Sequence, residues 1–535
     1  MARRRQFETT RLLSIVAAVT LLGGAAAVPA ASAAPAPVQA AATTLSTTPL
    51  RFVDIAGEGV TLKANYIAPS APGSYPAIIF PSSWGLNDLE YVVQAKKLAA
   101  RGYVVVSYTP RGWWASGGEI DTAGPRDMAD LSKVVDWTIA NTATDPARIG
   151  AGGISYGAGI SLLGVAFDPR IRAVAAMSGW TDLVYSLYGD QTRHKQSTGL
   201  LSLTAQLLGN PGTDLTGKLG DFSANRNIDQ VMQWAQVRSA ETYLDAINAN
   251  QPAVLLANAW GDTFFGANQL VDFYGGLTTA KRLELRPGDH AIAELTGVAG
   301  LENDVWTSAT RWFDEHLAGL DTGIAGEAPV VLKLDNGAYE SYPAWSALNN
   351  TTRRYGLGEI RRLDGTGLLG GNPSSGWSKS LPADADTIAN GGAVLITNGL
   401  AAITGERPQI WLPHVNRARA GVWAAERPNS PLKIRGIPKL HLKLTGTAAQ
   451  GTVVAYLYDL DRLGRAKLIT HQPVSWSGGT GNRSLDVDLT ATAYDLPAGH
   501  SLTLVVDTVD PLYYEENSAG VITVAGGSYL DIPVK

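Results

Sequence analysis

The sequence predicts an α/β fold, an open and mostly parallel sheet with helices on both faces, followed by an all-β domain. Between about residues 50 and 320, short runs rich in Val and Ile alternate with segments whose apolar residues repeat at helical spacing. Beyond about residue 325 the helical spacing disappears, and short segments of alternating polarity are separated by Gly, Pro and Asp. The first pattern is typical of buried parallel strands joined by crossover helices, and the second indicates a β-sandwich of the jelly-roll type.

Six short apolar runs supply the predicted strands of the α/β region. They are Ala77–Pro81, Tyr103–Tyr108, Arg148–Gly152, Ala173–Met177, Ala253–Asn258 and Arg282–Leu285. About 75 residues separate the fourth run from the fifth, and a structureless loop of that length is uncommon within a domain. Two segments of this interval, Leu200–Leu208 and Ile228–Ala249, have helical patterns. The interval therefore predicts a helical cap, at about residues 180–250, inserted over the sheet.

Eight segments supply the predicted strands of the all-β region. They are Val330–Leu334, Ala393–Thr397, His441–Thr445, Thr452–Tyr458, Lys467–Gln472, Ser484–Leu489, Ser501–Thr508 and Val521–Val524. Together with the α/β pattern they place a catalytic domain at residues 49–322 and a β-sandwich domain at residues 323–535.

The N-terminus has the pattern of an export signal. Arg3, Arg4, Arg5 and Arg11 precede an apolar stretch, Leu12–Val28, and the small residues Ala31-Ser32-Ala33 then form a cleavage site. We therefore expect a signal peptide at residues 1–33, a flexible leader at residues 34–48 and a secreted mature chain without a stable membrane anchor. The paired arginines are compatible with both the twin-arginine and the general secretory route.

Composition excludes several other classes of function. The 535 residues contain no Cys, which rules out disulfides, thiolate metal sites and a cysteine nucleophile. The formal net charge is −5 and no long basic run occurs, so we expect no nucleic-acid partner. The sequence leaves the oligomeric state open.

The pentapeptide Gly153-Ile154-Ser155-Tyr156-Gly157 matches the pattern G-x-S-x-G. It follows the predicted strand Arg148–Gly152 and precedes a predicted helix at Ala158–Ala166. On such a strand-to-helix turn, the glycines allow a sharp bend that exposes the serine oxygen above the sheet, as in the nucleophile elbow of α/β-hydrolases. Ser155 is therefore the predicted nucleophile.

A serine hydroxyl needs a base, and the base needs an acid to orient it. In α/β-hydrolases the acid and then the histidine follow the serine along the chain, each after a later strand. Asp262 follows the strand Ala253–Asn258, and His290 follows the strand Arg282–Leu285. Asp289 competes for the acid role by adjacency, but side chains of neighbouring loop residues rarely face each other, so Asp262 is preferred.

The oxyanion hole of this fold combines the N–H after the nucleophile, here that of Tyr156, with one from an earlier loop. That earlier loop contains Ser83 and Trp84, and the sequence does not decide between them. Trp113 and Trp114 follow another predicted strand. They are candidates for the substrate pocket, and the alternative is that they wedge loops against the cap.

Several segments together resemble the family of X-Pro dipeptidyl-peptidases and cocaine esterase. In the α/β region they are Gly102-Tyr103-Val104-Val105, the loop Arg111–Gly118, Gly153–Gly157 and Asp262. In the all-β region they are Tyr456–Asp461, Ala498–Leu502 and Ser528–Leu530. The loop after Pro81 departs from the family, because many family esterases place an oxyanion-binding Tyr after this proline; the loop here is more similar to dienelactone hydrolases. The large N-terminal helical domain of the lactic-acid-bacterial dipeptidyl-peptidases is also missing from the pattern.

The resemblance implies a hydrolase that cleaves acyl esters, amides or X-Pro peptides through an acyl-enzyme without metal or cofactor. We expect a small ester or a short peptide as substrate. Acyl-ester hydrolysis is the first interpretation, and an exopeptidase of the X-Pro dipeptidyl-peptidase type is the second. A non-catalytic surface protein that binds carbohydrate through its sandwich is a remote third, because it leaves the complete and correctly ordered triad unexplained.

Overall fold

The computed structural model describes residues 44–384, 386–399 and 406–535. The predicted signal peptide and most of the predicted leader lie outside these residues. Within these ranges, no helix combines the length and the apolar character that a membrane crossing requires.

Among the described residues, ten strands form the first sheet. They are β1 (Arg51–Ala56), β2 (Thr61–Ile67), β3 (Tyr75–Pro81), β4 (Val104–Tyr108), β5 (Thr144–Ile154), β6 (Ile171–Met177), β7 (Ala253–Ala259), β8 (Lys281–Arg286), β9 (Val330–Lys333) and β10 (Tyr339–Tyr342). Their spatial order is β1-β2-β4-β3-β5-β6-β7-β8-β9-β10. The strands from β4 to β9 run parallel, and the sheet is antiparallel at both edges.

Eleven α-helices of the described chain accompany this sheet. They are α1 (Val92–Ala100), α2 (Pro125–Asn141), α3 (Tyr156–Phe167), α4 (Leu183–Tyr188), α5 (Lys195–Leu208), α6 (Gly212–Ser223), α7 (Ile228–Gln236), α8 (Leu244–Asn250), α9 (Ala267–Gly276), α10 (Leu295–Val298) and α11 (Asp304–His316). Helices α4 to α8 fall between β6 and β7, in the interval from which the sequence predicted a cap.

The central parallel strands are buried on both faces, which explains why they are continuous apolar runs. Side chains alternate between the faces with a period of two residues. In β3, Ile78 and Phe80 join the core under α1 and α11, whereas Ile79 joins the core under α2, α3 and α9. This two-sided core fixes the carboxyl edge of the parallel strands, from which the site is built.

In the part of the second domain that the structure describes there are thirteen strands. They are β11 (Thr351–Ile360), β12 (Gly367–Leu369), β13 (Ser378–Pro382), β14 (Gln409–Trp411), β15 (Gly421–Ala424), β16 (Leu432–Gly436), β17 (Lys439–Thr447), β18 (Gln450–Leu460), β19 (Arg465–Ser477), β20 (Gly481–Asp488), β21 (Thr492–Leu496), β22 (Ser501–Asp507) and β23 (Val521–Val534). Two sheets share β11, which pairs with β12 on one side and with β23 on the other. Inward residues of both sheets, such as Leu442 and Leu457, meet in one core. The predicted α/β fold followed by an all-β domain is confirmed.

One predicted strand belongs to the other domain, and one strand prediction is wrong. The segment predicted to open the sandwich, Val330–Leu334, instead forms β9, which pairs parallel with β8 and extends the first sheet across the predicted boundary at residue 322. The sheet to which a strand belongs depends on the strand it pairs with, and the alternation of polarity within one strand does not identify that partner. The segment Ala393–Thr397 forms turns and the start of a helical segment. The N–H of Ala393 binds the hydroxyl of Thr397, a local contact that competes with strand pairing.

The second domain contacts the first through polar as well as apolar groups. Asn268 at the start of α9 donates to the carbonyl of Leu489 and accepts from the N–H of Ala491. The N–H of Lys195, the first residue of cap helix α5, donates to the carbonyl of Leu512. The sandwich therefore helps to hold both the cap and a helix that follows the predicted acid.

Candidate active site

Ser155 lies at the turn between β5 and α3, with φ 55° and ψ −115°. A non-glycine residue in this region is strained, and such strain is common at functional turns. The turn also needs its glycines. A Cβ on Gly157 would lie 2.1 Å from the carbonyl oxygen of Pro81, and one on Gly153 would lie 2.8 Å from the carbonyl carbon of Gly157. The spacing of the pentapeptide is thus explained by close backbone contact.

The structure brings the three predicted triad residues together. His290 Nε2 lies 2.8 Å from Ser155 Oγ, and His290 Nδ1 lies 3.0 Å from Asp262 Oδ2. Asp262 Oδ1 accepts from the N–H groups of Phe264 and Phe265, both at 2.8 Å. One carboxylate oxygen is therefore anchored by its own loop while the other faces the imidazole, which is the arrangement that fixes a histidine tautomer.

Asp289 has a different role from the one its adjacency suggested. Its Oδ1 accepts from the N–H of Thr263, from the Thr263 hydroxyl and from the N–H of His290, at 2.7 to 2.8 Å. These bonds join the loop after β7 to the loop after β8. Asp262, and not Asp289, contacts the imidazole ring of His290.

Three carboxyl groups set the electrostatics of His290. Burial by itself lowers the pKa of the imidazole, but the charge of Asp262, its hydrogen bond and the charges of Asp289 and Glu294 outweigh burial and raise that pKa above its usual value. Burial, followed by the nearby charge of Asp262, raises the pKa of Asp289 to about 7. The surroundings therefore favour the imidazolium that forms during acyl transfer.

The loop after β3 favours one of the two candidates for the second oxyanion donor. The N–H of Ser83 donates to Glu90 Oε2 at 2.7 Å, so Ser83 does not supply it. Across the described residues, no hydrogen bond uses the N–H of Trp84. The N–H of Tyr156 lies in the first turn of α3, where the helix offers no carbonyl. Tyr156 and Trp84 stay the predicted pair of donors.

The structure favours the alternative for Trp113 and Trp114, in which they hold a loop in place, over a position in the substrate pocket. Trp113 is completely buried, and its backbone pairs with Gly209 just after cap helix α5. Trp114 donates from its backbone to Leu208 and from its indole to Gly85, although its side chain stays 53% exposed. Both residues hold a loop against the cap, which is the alternative that the sequence left open.

An aromatic cluster around the triad was not predicted. Phe264 and Phe265 pack on the His290 ring, with ring centroids 4.6 and 5.0 Å away. Trp180 contacts Phe265 at 5.1 Å and stacks on Tyr156 at 6.4 Å. The pair of phenylalanines directly after Asp262 was the available signal. These rings are nearly completely buried, so they exclude water from the imidazole and fix its position.

The arrangement can perform nucleophilic acyl transfer, since a hydroxyl, a base and an orienting acid lie within hydrogen-bond reach in series. In the part of the chain that the structure describes, no group of three or more His, Asp and Glu side chains is placed to hold a metal ion.

Two family models match adjacent parts of the chain. The X-Pro dipeptidyl-peptidase (S15 family) model matches residues 58–292, and the X-Pro dipeptidyl-peptidase C-terminal non-catalytic domain matches residues 323–481. Among curated proteins, the uncharacterized protein YcjY of Escherichia coli is 31% identical over 131 residues, 21% of this chain and 41% of that protein. The chain spans between 36% and 42% of the lengths of the first four curated relatives.

Solved structures share the whole architecture. An α-amino acid ester hydrolase matches with a TM-score of 0.66 and 16% identity, over 94% of this chain and 98% of that chain. A CocE/NonD family hydrolase from Staphylococcus aureus matches with a TM-score of 0.68 and 13% identity, over 91% and 96%. At these identities the likeness shows the fold. The two family models match the two domains in order, so over both domains the chain is similar to the X-Pro dipeptidyl-peptidases of the S15 family.

Proposed function

We propose that this protein hydrolyses acyl esters through a covalent acyl-enzyme on Ser155. The observation that carries the proposal is the continuous contact from Ser155 Oγ to His290 Nε2 at 2.8 Å and from His290 Nδ1 to Asp262 Oδ2 at 3.0 Å. The family models support a hydrolase of this type.

In the first half-reaction Ser155 Oγ attacks the substrate carbonyl carbon while His290 Nε2 takes the hydroxyl proton. The negative charge on the carbonyl oxygen is stabilised by the N–H groups of Tyr156 and Trp84. Collapse of this intermediate breaks the bond to the leaving group, which receives the proton from His290. In the second half-reaction water gives its proton to His290 and attacks the acyl-enzyme, which releases the acid and restores Ser155.

Esters are proposed before peptides because the cap presents no obvious partner for a substrate amine. An enzyme that recognises the free N-terminal amine of a peptide needs a carboxylate in the cleft to bind the ammonium group. In the described cap, four aspartates are engaged elsewhere: Asp182 with the N–H of Tyr185, Asp190 with Gln472, Asp214 with Trp234 and Asp221 with Asn227. The other acidic side chains of the cap are exposed: Asp229, Glu241 and Asp245.

A substrate comparison tests the proposal. Short p-nitrophenyl esters are assayed beside an X-Pro p-nitroanilide and its N-acetylated form. Fast ester turnover with little effect of acetylation is expected. A loss of about 10³-fold in kcat/KM on acetylation, about 4 kcal/mol, would show amine recognition and favour the exopeptidase. No turnover of any ester or anilide, and no labelling by a fluorophosphonate, would contradict the hydrolase itself.

Export is part of the proposal. The basic residues, the apolar stretch Leu12–Val28 and the small residues at 31–33 support a secreted enzyme whose mature chain begins at or near Ala34. Mass spectrometry of the N-terminus of the secreted protein tests this, and retention of Leu12–Val28 in that protein would refute it.

A further inference from the structure

We propose that Asp127 is a positioning residue for the oxyanion hole, and that it acts through the side chain of Tyr156. Tyr156 follows the nucleophile, and its N–H is one of the two predicted oxyanion donors. The inference rests on the proposed function, because a donor matters only if a tetrahedral intermediate forms on Ser155.

The contact between the two residues is short and enclosed. The phenol of Tyr156 donates to Asp127 Oδ2 at 2.6 Å, and the N–H of Ala123 donates to the same oxygen at 2.8 Å and to the phenol oxygen at 3.2 Å. Tyr156 is 1% exposed and Asp127 is completely buried. A bond in such a dry environment is strong and directional. The triad mechanism described above makes no use of it.

The ring of Tyr156 is also held on its faces. Trp180 stacks on it at 6.4 Å with an interplanar angle of 14°, and Trp84 meets it edge-to-face at 5.2 Å. The N–H and the side chain of a residue leave the same Cα, so fixing the ring also limits rotation of the peptide that carries the donor. Trp84 supplies the other predicted donor, so the two donors are held by side chains that pack on each other.

The start of α2, which carries Asp127, and the loop before it are tied to the cap. Asp121 accepts from the N–H of Arg126 at 2.7 Å and from the N–H of Asp127 at 3.3 Å. Arg238 in the cap donates to the carbonyl of Asp121 at 3.0 Å. Between these residues Ala123 has a φ of 55°, a conformation that a non-glycine residue keeps only when its neighbours enforce it.

The pKa of Asp127 agrees with this geometry. Burial and then the charge of Asp121 raise it to about 7. Asp127 Oδ1 has no hydrogen-bond partner within the described chain. A buried carboxylate with an unpaired oxygen is costly, which agrees with a raised pKa.

Tyr156→Phe tests the inference with little change in shape. The expected result is a loss of about 10-fold or more in kcat on p-nitrophenyl acetate with KM within about 2-fold, because a misplaced donor weakens the intermediate more than the bound ester. The inhibition constant of n-butylboronic acid, which forms a tetrahedral adduct with the serine, should weaken by the same factor. A merely structural defect would not change kcat and the inhibition constant of the boronic acid by the same factor.

Tyr103→Phe is the matched control. The phenol of Tyr103 donates to Asp314 Oδ1 at 2.9 Å, and both residues are completely buried at the opposite end of the strands. This variant should lose a comparable amount of thermal stability and keep both kcat and the boronic acid constant. Equal effects on kcat in the two variants would overturn the inference.

Variants of the carboxyl group complete the test. Asp127→Asn keeps an oxygen in the place of Oδ2 and should retain most of kcat, whereas Asp127→Ala should lose as much as Tyr156→Phe. If Asp127→Ala folds, combining it with Tyr156→Phe should cost no more than the worse single variant, since both remove one bond. An unchanged kcat in Tyr156→Phe would overturn the inference. The proposed function would still stand in that case, provided that the wild type hydrolyses the ester. Absence of wild-type turnover and fluorophosphonate labelling overturns both.

Discussion

Asp289 binds Thr263 twice, because its Oδ1 accepts from both the N–H and the hydroxyl of that threonine at 2.8 Å. Thr263 directly follows the acid Asp262, and Asp289 directly precedes the base His290. The contact thus holds the acid and the base at one separation, although they lie on loops after different strands. A mispositioned base would lengthen its bond to Ser155, and small displacements are costly in catalysis.

Ser155→Ala should abolish turnover and leave the fold intact. The change removes one oxygen from a turn whose shape is set by its glycines, and loss of a triad serine costs about 10⁶-fold in kcat. Ester kinetics, circular dichroism and labelling by a fluorophosphonate probe measure this. Residual activity near the wild-type rate would mean that Ser155 is not the nucleophile.

Asp262→Asn should be far more damaging than Asp289→Asn. Asparagine at 262 favours the wrong histidine tautomer, which costs about 10⁴-fold in kcat in a triad of this kind. Asparagine at 289 keeps an acceptor for Thr263 and replaces an Oδ2 that has no partner in the described structure, so we expect a loss below about 10-fold. The reverse order of the two kcat values would make Asp289 the acid.

The acid limb of the pH profile should lie above the usual range of histidine. His290 acts as a base only when neutral, so kcat/KM rises as pH increases through its pKa in the free enzyme. The carboxyl groups around the ring raise that pKa, which places the midpoint above about 6.5. A pH series of kcat/KM on an ester with a good leaving group checks this, and a midpoint below 6 would contradict the described electrostatics.

Glu90→Gln should stabilise the fold at pH 8 but not at pH 5. The single hydroxyl proton of Ser83 can serve either the carbonyl of Ile154 at 2.8 Å or Glu90 Oε1 at 2.6 Å. A protonated Glu90 would let both contacts be hydrogen bonds. Burial raises the pKa of Glu90 to about 7. A raised carboxyl pKa favours the fold most at low pH, and this contribution is lost as pH rises through about 7.

Glutamine mimics the neutral acid and has no such loss. Tm values of the wild type and of Glu90→Gln, measured at pH 5 and pH 8, give the comparison. The difference should appear only at pH 8. A Glu90→Gln variant that is less stable at pH 8 would show that the charged carboxylate is the form the site requires.

Removal of the sandwich should leave a poorly soluble or weakly active fragment. A chain ending near residue 348 keeps the first sheet complete through β10, but it loses the partners of Asn268 and of Lys195 in the cap. Polar and apolar groups built for burial then face water. Solubility and specific activity are measured beside the full mature chain. A soluble, fully active fragment would make the sandwich an independent module.

The sequence by itself determined the succession of strands and helices in the first domain and the order of the triad residues along the chain. The glycines around Ser155, the short Val- and Ile-rich runs and the positions of Asp262 and His290 after later runs are local patterns. Local patterns predict strands, turns and their succession because backbone sterics and the period of burial act within a few residues. The fold class and the choice of triad residues rested on these patterns alone.

Tertiary structure decided which groups meet. In the folded chain the N–H of Ser83 donates to Glu90, and Asp289 accepts from Thr263 instead of contacting the imidazole. Trp113 is buried, and β9 pairs with the first sheet. Except for the bond from Ser83 to Glu90, which are seven residues apart, each outcome depends on segments distant in the chain. A hydrogen bond or a strand pair exists only at the distance and angle that the packed core sets. The link from Asp127 to Tyr156 joins residues 29 positions apart, and neither residue carries a local signal of the other.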